Sequence, residues 1–370
     1  MQKKLIALAI AAAASGAAFA QTNVTIYGIA DMGFTVRDND AFSKNRYGFD
    51  SGVLSTSRIG FKGVEDLGNG LKAIFTLEYG LNMDQDQTIG GGTGGLGARQ
   101  QFVGLSGNFG TIVAGRLQTT GLDFTVAGSA LGGSSMLGAT NQVEKGLLLN
   151  SGSRANNAIA YISPSFGGLT VALNHSRAPL TTEGFQKDAN ATLVSADYTN
   201  GPLSLGAVYG VYTAKDGREV SESYLVLNNA VPPVVTDIGL DYLKKSKEWG
   251  VRAGYDFGVA KVQAAYQQGK ENGVDALTNV ATNVTTTDNW SEKYKKAVIS
   301  ATVPVTAKIA VIGEYAQSKW KGEGRDKAWT LAATYSLSKR TTAYAGYVGI
   351  NPDGKKNDES RYGVGLRHAF

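Results

Sequence analysis

Four basic side chains occur where they could act on a passing ion. They lie in short segments whose polar and apolar residues alternate, and they are Arg58, Lys72, Arg116 and Arg154. Rings of arginine and lysine around a water-filled pore favour the passage of anions. We therefore interpret these cations as lining the constriction of a pore. The alternative, that they only pair with carboxylates in a packed wall, stays open at this point.

The alternation predicts the direction of each cation, because successive side chains of a strand point to opposite faces. Arg58 lies on the face opposite Ile59 and Phe61, so it points into the lumen if those two contact lipid. By the same rule, Arg116 lies on the face opposite Val113, Gly115 and Leu117, and Arg154 lies on the face opposite Ile159 and Tyr161. A cation that faces hydrocarbon on a barrel costs roughly 2–4 kcal/mol, which favours the inward direction.

A long segment rich in glycine and serine joins Arg116 to Arg154. An insert of this length inside a compact domain is usually functional or disordered. We expect residues 118–153 to fold into the lumen as a constriction loop. The loop contributes few acids, only Asp123 and Glu144, with Lys145 beside the second. A positive wall facing a sparsely acidic loop predicts a pore that prefers anions.

Other site chemistry is weakly represented. The two histidines, His175 and His368, lie far apart in the sequence, and there is no cysteine. A serine–histidine–aspartate triad or a metal centre needs a closer set of such groups, so we expect no enzyme activity, no cofactor and no metal site. The acidic turns near Asp38 and Asp84 could hold calcium in external loops, although solvated turns are commoner.

The elements that carry these residues read as β-strands. The clearest hairpin puts Leu71, Ala73, Phe75, Leu77 and Tyr79 on one face and Lys72, Thr76 and Glu78 on the other. Similar segments recur between seven tight turns, and the longer polar segments are centred near Asp40, Gly90, Ser134, Thr182, Val226, Ala276, Gly322 and Asp353. Fifteen connections join sixteen strands. Short turns that alternate with long loops are typical of a membrane barrel whose ends face different compartments.

The first twenty residues predict export. Lys3 and Lys4 precede an apolar run, and Ala18-Phe19-Ala20 resembles a cleavage site, so residues 1–20 read as a signal peptide. Removing both lysines would lower the formal charge from +5 to +3, and no basic cluster suggests a nucleic-acid partner. Residues 21–370 would then form the barrel, with about 22 residues for each strand and its share of the connections.

The composition supports a membrane barrel. Glycine is enriched, with 48 residues against only 7 prolines, and there are 17 tyrosines, 13 phenylalanines and 4 tryptophans. Flexible disorder would instead reduce the aromatics. No later apolar run is long enough for a spanning helix, which leaves a closed barrel as the spanning structure. A soluble β-sandwich shares the alternation, but the leader, the unequal connections and the tyrosines at strand ends favour the membrane.

An ordered series of short motifs resembles the general porins of β-proteobacteria. The series includes Val24-Thr25-Ile26-Tyr27-Gly28, Ser57-Arg58-Ile59-Gly60-Phe61-Lys62-Gly63, Glu65-Asp66-Leu67-Gly68, Phe102-Val103-Gly104-Leu105-Ser106, Gly115-Arg116, Arg154-Ala155-Asn156-Asn157, Ser163-Pro164-Ser165-Phe166-Gly167-Gly168 and Gly365-Leu366-Arg367-His368-Ala369-Phe370. The resemblance covers the whole predicted mature chain.

The resemblance implies an all-β, sixteen-stranded antiparallel transmembrane barrel with its third external loop inside the lumen. It also implies a homotrimer in the outer membrane, surrounded by lipid and lipopolysaccharide, and a Phe370 that is read by the barrel-assembly machinery. Family arginines of the wall match Arg58 and Arg154. A third falls at Gln100, and parity places the neighbouring Arg99 on the wrong face.

The sequence thus predicts a general diffusion porin for small hydrophilic solutes and ions, with a preference for anions. A substrate-specific channel is the first alternative, and it would need an aromatic track along the pore. A barrel enzyme or an adhesin is the second. An enzyme would need an acid/base constellation at the rim, and an adhesin would usually carry a passenger domain; neither is evident.

Overall fold

The computed structural model describes residues 23–39, 46–85, 97–143, 153–177, 189–219, 224–227, 235–279, 282–320, 324–352 and 358–370. Residues 1–20, the expected signal peptide, lie outside these ranges, so that prediction stays a prediction.

The described residues form one closed antiparallel sheet of eighteen strands. The first nine are β1 (Asn23–Asn39), β2 (Arg46–Ser51), β3 (Arg58–Gly68), β4 (Leu71–Gly80), β5 (Ala98–Gly107), β6 (Gly110–Gln118), β7 (Arg154–Ile162), β8 (Leu169–Arg177) and β9 (Ala189–Asn200). The others are β10 (Leu203–Glu219), β11 (Tyr224–Leu227), β12 (Val235–Asp256), β13 (Lys261–Asn279), β14 (Thr285–Pro304), β15 (Ile309–Trp320), β16 (Arg325–Ser336), β17 (Thr341–Asn351) and β18 (Glu359–Ala369). The sheet closes because β1 pairs with β18.

These strands build the predicted sixteen-stranded wall and one addition. β2 and β3 pair with successive parts of β1, so together they are one wall strand with an interruption. β11 lies in the long connection between β10 and β12 and pairs with β12. The prediction of a sixteen-stranded antiparallel barrel is confirmed.

Buried Asp31 on β1 explains the interruption between β2 and β3. Its Oδ2 accepts hydrogen bonds from the backbone N–H of Leu54 (3.2 Å) and Ser55 (2.7 Å), and its Oδ1 accepts one from the Tyr344 hydroxyl (2.6 Å). The excursion begins at Gly52, whose φ of 78° lies in the left-handed region that glycine tolerates. Backbone groups that leave the sheet are therefore satisfied by one carboxylate.

Along the wall strands, apolar residues face outward and polar residues face inward. On β4, Leu77 is 39% exposed whereas Thr76 and Glu78 on the opposite face are buried. Trp249 and Leu331 are likewise exposed on the outer surface of β12 and β16. A soluble protein would bury its apolar faces, so this arrangement suits a barrel surrounded by lipid.

The seven predicted tight turns all join neighbouring strands, but the expected long segment near Ala276 is wrong. Ala276 lies within β13 and pairs with Leu240 and Thr287. Strands β12, β13 and β14 contain 22, 19 and 20 residues, about twice the 9–11 that a bilayer needs. Beyond the membrane, charged residues such as Lys270 and Glu271 become frequent on these strands, so the hydropathy signal fades while hydrogen bonding continues.

The connection from β6 to β7 folds into the lumen, as predicted. Its described part contains a helix, α1 (Thr120–Gly128), and a short 3₁₀ turn (Ala139–Asn141). Thr119 caps α1 by accepting a hydrogen bond from the Leu122 backbone N–H through its side chain (3.3 Å). Among the described residues, no helix has the length and apolarity required to cross a bilayer.

Candidate functional site

The inserted loop is attached to the inner wall opposite its point of entry. The side chains of Gln263 on β13 and Thr330 on β16 donate hydrogen bonds to the carbonyl oxygens of Ala127 (3.0 Å) and Leu137 (2.7 Å). Arg361 on β18 donates to the Gln142 side chain (2.5 Å). These contacts run across the inner wall from β13 to β18, so the loop crosses the barrel interior.

Two charged residues hold the middle of this loop. The Glu314 carboxylate on β15 accepts hydrogen bonds from the backbone N–H of Leu131 (3.1 Å) and of Thr140 (2.9 Å). Lys296 on β14 donates to the Thr140 carbonyl oxygen (2.5 Å). Glu314 and Lys296, the loop clasp, thereby satisfy backbone groups that would otherwise be buried without partners.

Apolar packing reinforces the loop clasp. Leu131, Met136 and Leu137 of the loop are buried in one cluster that also contains Ile312 and Val348 of the wall. Since these inner-wall positions would face water in an empty barrel, the loop converts part of the lumen into a small hydrophobic core. This wall of the barrel is filled, and the open passage must lie elsewhere in the lumen.

An arginine group occupies the inner face of β3 and β5 around one acid. Glu78 on β4 is contacted by Arg99 Nε at 2.7 Å and by Arg58 Nε at 3.9 Å, and it accepts a hydrogen bond from the Tyr27 hydroxyl at 3.0 Å. Arg154 interacts electrostatically with both arginines and with Glu78. We call Arg58, Arg99 and Arg154 the arginine wall. Two of the predicted pore residues, Arg58 and Arg154, are thus brought together by the fold.

Parity predicts that the Arg99 side chain points away from the lumen, and the structure differs. Its neighbours Gln100 and Ala98 pair with Glu78 and Tyr79, so the register slips by one residue and Arg99 has no partner in the ladder. Such a bulge re-aims the side chain of its extra residue. Arg99 therefore turns inward to Glu78 and supplies the third wall cation, one residue before the position that the resemblance suggested.

Asp123 lies in the first turn of α1, on the loop side of the passage. Burial raises the pKa of its carboxyl to about 6, although the Gln118 side chain, which donates to it at 2.5 Å, favours the charged form. Asp197 opposes its ionisation, while Arg252 and Arg154 support it. Arg252 itself is ion-paired with Asp197. The second predicted acid, Glu144, lies outside the described residues.

From the alternation, Arg116 is predicted to point inward because Val113 and Leu117 are taken as facing lipid. In the structure, the other face of β6 is the outer one. Ile112 is 42% exposed on the outer surface, whereas Val113 is 6% exposed and Leu117 is buried. Arg116 has the parity of Ile112, and its guanidinium donates to the Ala98 carbonyl oxygen (2.7 Å) and to the Asn156 side chain. It is close enough to Arg154 for electrostatic interaction but is held by the wall itself.

Lys72 lies on the inner face, yet near one end of the barrel. It pairs with Asp66 and Ser106 directly beside the tight turn between β3 and β4. It is six positions from Glu78, which is about 20 Å along an extended strand. The structure thus places Lys72 well away from the arginine wall.

Two further inward arginines were not singled out from the sequence. Arg252 on β12 points to the face opposite that of Val251. Arg367 on β18 donates a hydrogen bond to the Ser55 hydroxyl at 2.9 Å and interacts electrostatically with Arg58. The parity rule that placed Arg58 would have found both of them. Phe370 lies outside this site: its backbone pairs with Gly28, and its ring covers that glycine.

The site offers fixed positive charge rather than catalytic groups. Within the described ranges, no group of three metal-binding side chains comes together. His175 and His368 each share a hydrogen bond with a threonine hydroxyl on the exposed surface (2.9 Å in both cases). The arginine wall can therefore attract and guide anions through water, without a nucleophile or proton shuttle in position.

Comparison with known proteins agrees with this geometry. The family model described as Gram-negative porin matches residues 7–367. The chain is 33% identical to outer membrane porin protein 32 of Delftia acidovorans and 27% identical to an outer membrane porin protein of Bordetella pertussis, over the full length of both chains in each case. A solved structure, the anion-selective porin from Comamonas acidovorans, superposes with a TM-score of 0.69 at 25% identity, covering 95% of this chain and 100% of the other. The chain belongs to the Gram-negative porin family and is a diffusion channel of the outer membrane, not an enzyme.

Proposed function

We propose that this porin lets small hydrophilic solutes diffuse through its lumen and prefers anions to cations. The observation that carries the proposal is the convergence of Arg58, Arg99 and Arg154 from three strands around a single acid, Glu78. The described loop residues 118–143 add one acid, Asp123, and no basic residue. The solved Comamonas structure, named as an anion-selective porin, supports the same direction.

Selectivity would arise from the imbalance between these charges. One carboxylate cannot neutralise three guanidinium groups, so the passage keeps a positive potential that concentrates anions. Because charges near the lumen are screened within about 10 Å at 0.1 M salt, the preference should weaken as salt rises.

Reversal potentials across planar bilayers in a KCl gradient test this proposal. We expect the wild-type channel to prefer Cl⁻, and the Arg58→Gln/Arg99→Gln/Arg154→Gln variant to lose that preference by roughly tenfold in permeability ratio. Lys72→Gln is the matched control, since it removes an inward cation far from the arginine wall. A wild-type channel that prefers K⁺, or a triple variant that keeps the Cl⁻ preference, would refute the assignment.

General passage is favoured over recognition of one substrate. Large inward aromatics such as Tyr212, Tyr294 and Tyr344 are buried in the described wall rather than presented to the passage. A track of stacked aromatics would be needed to bind a sugar or another specific solute. Single-channel current that a millimolar solute blocks would favour the substrate-specific alternative.

The remaining partners are part of the same proposal. Homotrimeric assembly is the proposed state of the barrel. A solved structure with the same fold, OmpT of Vibrio cholerae, is described in a trimer form. Gel migration before and after heating tests the assembly: an unheated protein that migrates only as a monomer would exclude the trimer. Lipopolysaccharide is the proposed lipid neighbour at the end with long connections.

Phe370 is proposed as the residue that the barrel-assembly machinery reads. Its ring lies over Gly28, where an added Cβ would approach the ring to 2.4 Å, so the final residue closes the seam between β1 and β18. The yield of folded barrel in cells should fall for Phe370→Ala. An unchanged yield would argue against this role.

A further inference from the structure

A row of cations that form no ion pair with the described residues lies on the outer surface of five consecutive strands. Their side chains point away from the lumen and are exposed, and they are Lys247, Lys270, Lys293, Lys295, Lys319 and Arg325. We call these six residues the lysine belt. They are separate from the arginine wall, because the strand parity places them on the lipid side.

The strand register places these cations directly opposite one another. Lys270 pairs with Lys247 on one side and with Lys293 on the other. Lys319 pairs in the same way with Lys295 and Arg325. Like charges directly opposite in adjacent strands destabilise a sheet. Two such triplets side by side therefore need a compensating negative charge.

The described residues do not supply that charge. In the part of the chain that the structure describes, no belt residue forms an ion pair with a carboxylate. The acids nearest in sequence, Glu248, Glu271 and Asp326, alternate with belt residues and so lie on the opposite face. A solvated face of a soluble protein would usually mix both signs.

The lysine belt lies at the edge of the apolar band that is farther from the tight turns. On β12 the outward residues run Tyr255, Ala253, Val251 and Trp249 before Lys247, and on β16 they end at Trp329 before the cations begin. Lys247 is eight positions from Tyr255, about 26 Å along the strand. With a strand tilt of about 40° this is about 20 Å along the barrel axis, most of the 25 Å height of the apolar band of outer-membrane barrels. The belt thus lies at the level of lipid headgroups, at the end opposite the tight turns.

The two strands that follow β16 differ at this level. Trp329 pairs with Gly349 on β17, which in turn pairs with Ser360 on β18, and Lys327 pairs with Asn351 on β17. Gly349, Ser360 and Asn351 carry no positive charge. The row of outward cations therefore ends at β16 on this side of the barrel.

We propose that the lysine belt binds the phosphate groups of lipopolysaccharide in the outer leaflet. Closely spaced lysines at the headgroup level match a lipid that carries several phosphates on a compact, anionic headgroup, and its acyl chains would lie along the apolar band beneath. This inference rests on the proposed lipopolysaccharide contact and assigns the residues that make it. Cationic clusters at a membrane surface gain affinity for anionic lipid with each added lysine.

The test titrates the purified, folded full-length barrel in neutral detergent with lipopolysaccharide, and in parallel with the same lipid after enzymatic removal of its phosphates. We expect Lys247→Gln/Lys270→Gln/Lys293→Gln to weaken binding of the phosphorylated lipid by roughly 100-fold. The matched control is Lys261→Gln/Lys308→Gln/Lys339→Gln, which removes three exposed lysines at the tight-turn end and should bind as wild type does.

Replacing the same three belt lysines with arginine should preserve binding, which separates lost charge from lost folding. Equal binding of both lipids by wild type, equal loss in both glutamine variants, or displacement of the lipid by inorganic phosphate at the same concentration would overturn the proposal. Reversal potentials in the same preparations distinguish the two functions. A belt variant should keep its anion preference, and a wild type that binds the lipid without any anion preference would refute only the selectivity.

Discussion

Two regions of the inner wall place charges at membrane depth and use them in opposite ways. On β14 and β15, the loop clasp of Lys296 and Glu314 binds backbone groups of Thr140 and Leu131. On β3, β5 and β7, the arginine wall gathers three guanidinium groups around Glu78. The first region matches each charge with partners, whereas the second leaves positive charge in excess.

The difference separates structural charges from functional ones. A buried charge with matched hydrogen bonds fixes geometry, and removing one partner leaves the other exposed to a desolvation penalty. Charges that lack enough partners must be satisfied by water and ions, and in a channel this places them where solutes pass. Counting the partners of each inward charge thus distinguishes the loop clasp from the arginine wall.

The largest expected effect breaks the loop clasp. Glu314→Ala leaves the N–H groups of Leu131 and Thr140 without acceptors and Lys296 without its neighbour, which should weaken seating of the loop by about 3 kcal/mol. We expect noisy single-channel currents and cleavage by thermolysin near Leu131 or Leu137 in a barrel that stays folded.

The control on the same strand is Gln317→Ala, whose side chain lies on the outer face. The double variant Glu314→Gln/Lys296→Met should recover part of the quiet current, because it removes both buried charges together. If Glu314→Ala conducts as quietly as wild type and resists thermolysin, apolar packing alone holds the loop.

The second prediction compares two cations, Arg99 and Arg116, whose directions differ between the sequence analysis and the structure. Arg99→Gln should lower the Cl⁻ preference by roughly two- to fivefold, since one charge near the passage is lost. Arg116→Gln should change it less, because the Arg116 guanidinium is bound to the wall at Ala98 and Asn156. Reversal potentials measure both. An Arg116 effect larger than that of Arg99 would restore the interpretation from simple alternation and remove the bulge from the explanation.

The fold could be read from the sequence because a membrane barrel repeats one rule. Apolar and polar residues must alternate along each spanning strand, as they do from Leu71 to Tyr79, and each tight turn ends one such run. The rule stops where the constraint stops: beyond the bilayer β12 to β14 carry many charged residues, so the sequence predicts a loop near Ala276 although its backbone continues the ladder. Hydrogen bonding between backbones leaves no such pattern in the side chains.

The site was only partly predictable for a related reason. Arg58 lies in regular pairing, so parity placed it correctly, and Arg252 and Arg367 would have followed. Arg99 was missed because the bulge beside Tyr79 shifts the register by one residue. The partners of Glu314 could not be foreseen either, because 174 residues separate it from Thr140 and no short motif encodes that contact.

The smallest expected effect tests the one described loop charge, Asp123, against the arginine wall. Because burial raises the pKa of Asp123 to about 6, its carboxyl is charged at pH 7.5 and loses the negative charge as the pH falls through 6. The passage then becomes more positive, so the Cl⁻ preference should rise about twofold between pH 7.5 and 5. Asp123→Asn should show the raised preference at pH 7.5 and lose this pH dependence. A wild-type ratio that stays constant or falls over this range would mean that Asp123 does not act on the passing ions, and that the arginine wall alone sets the selectivity.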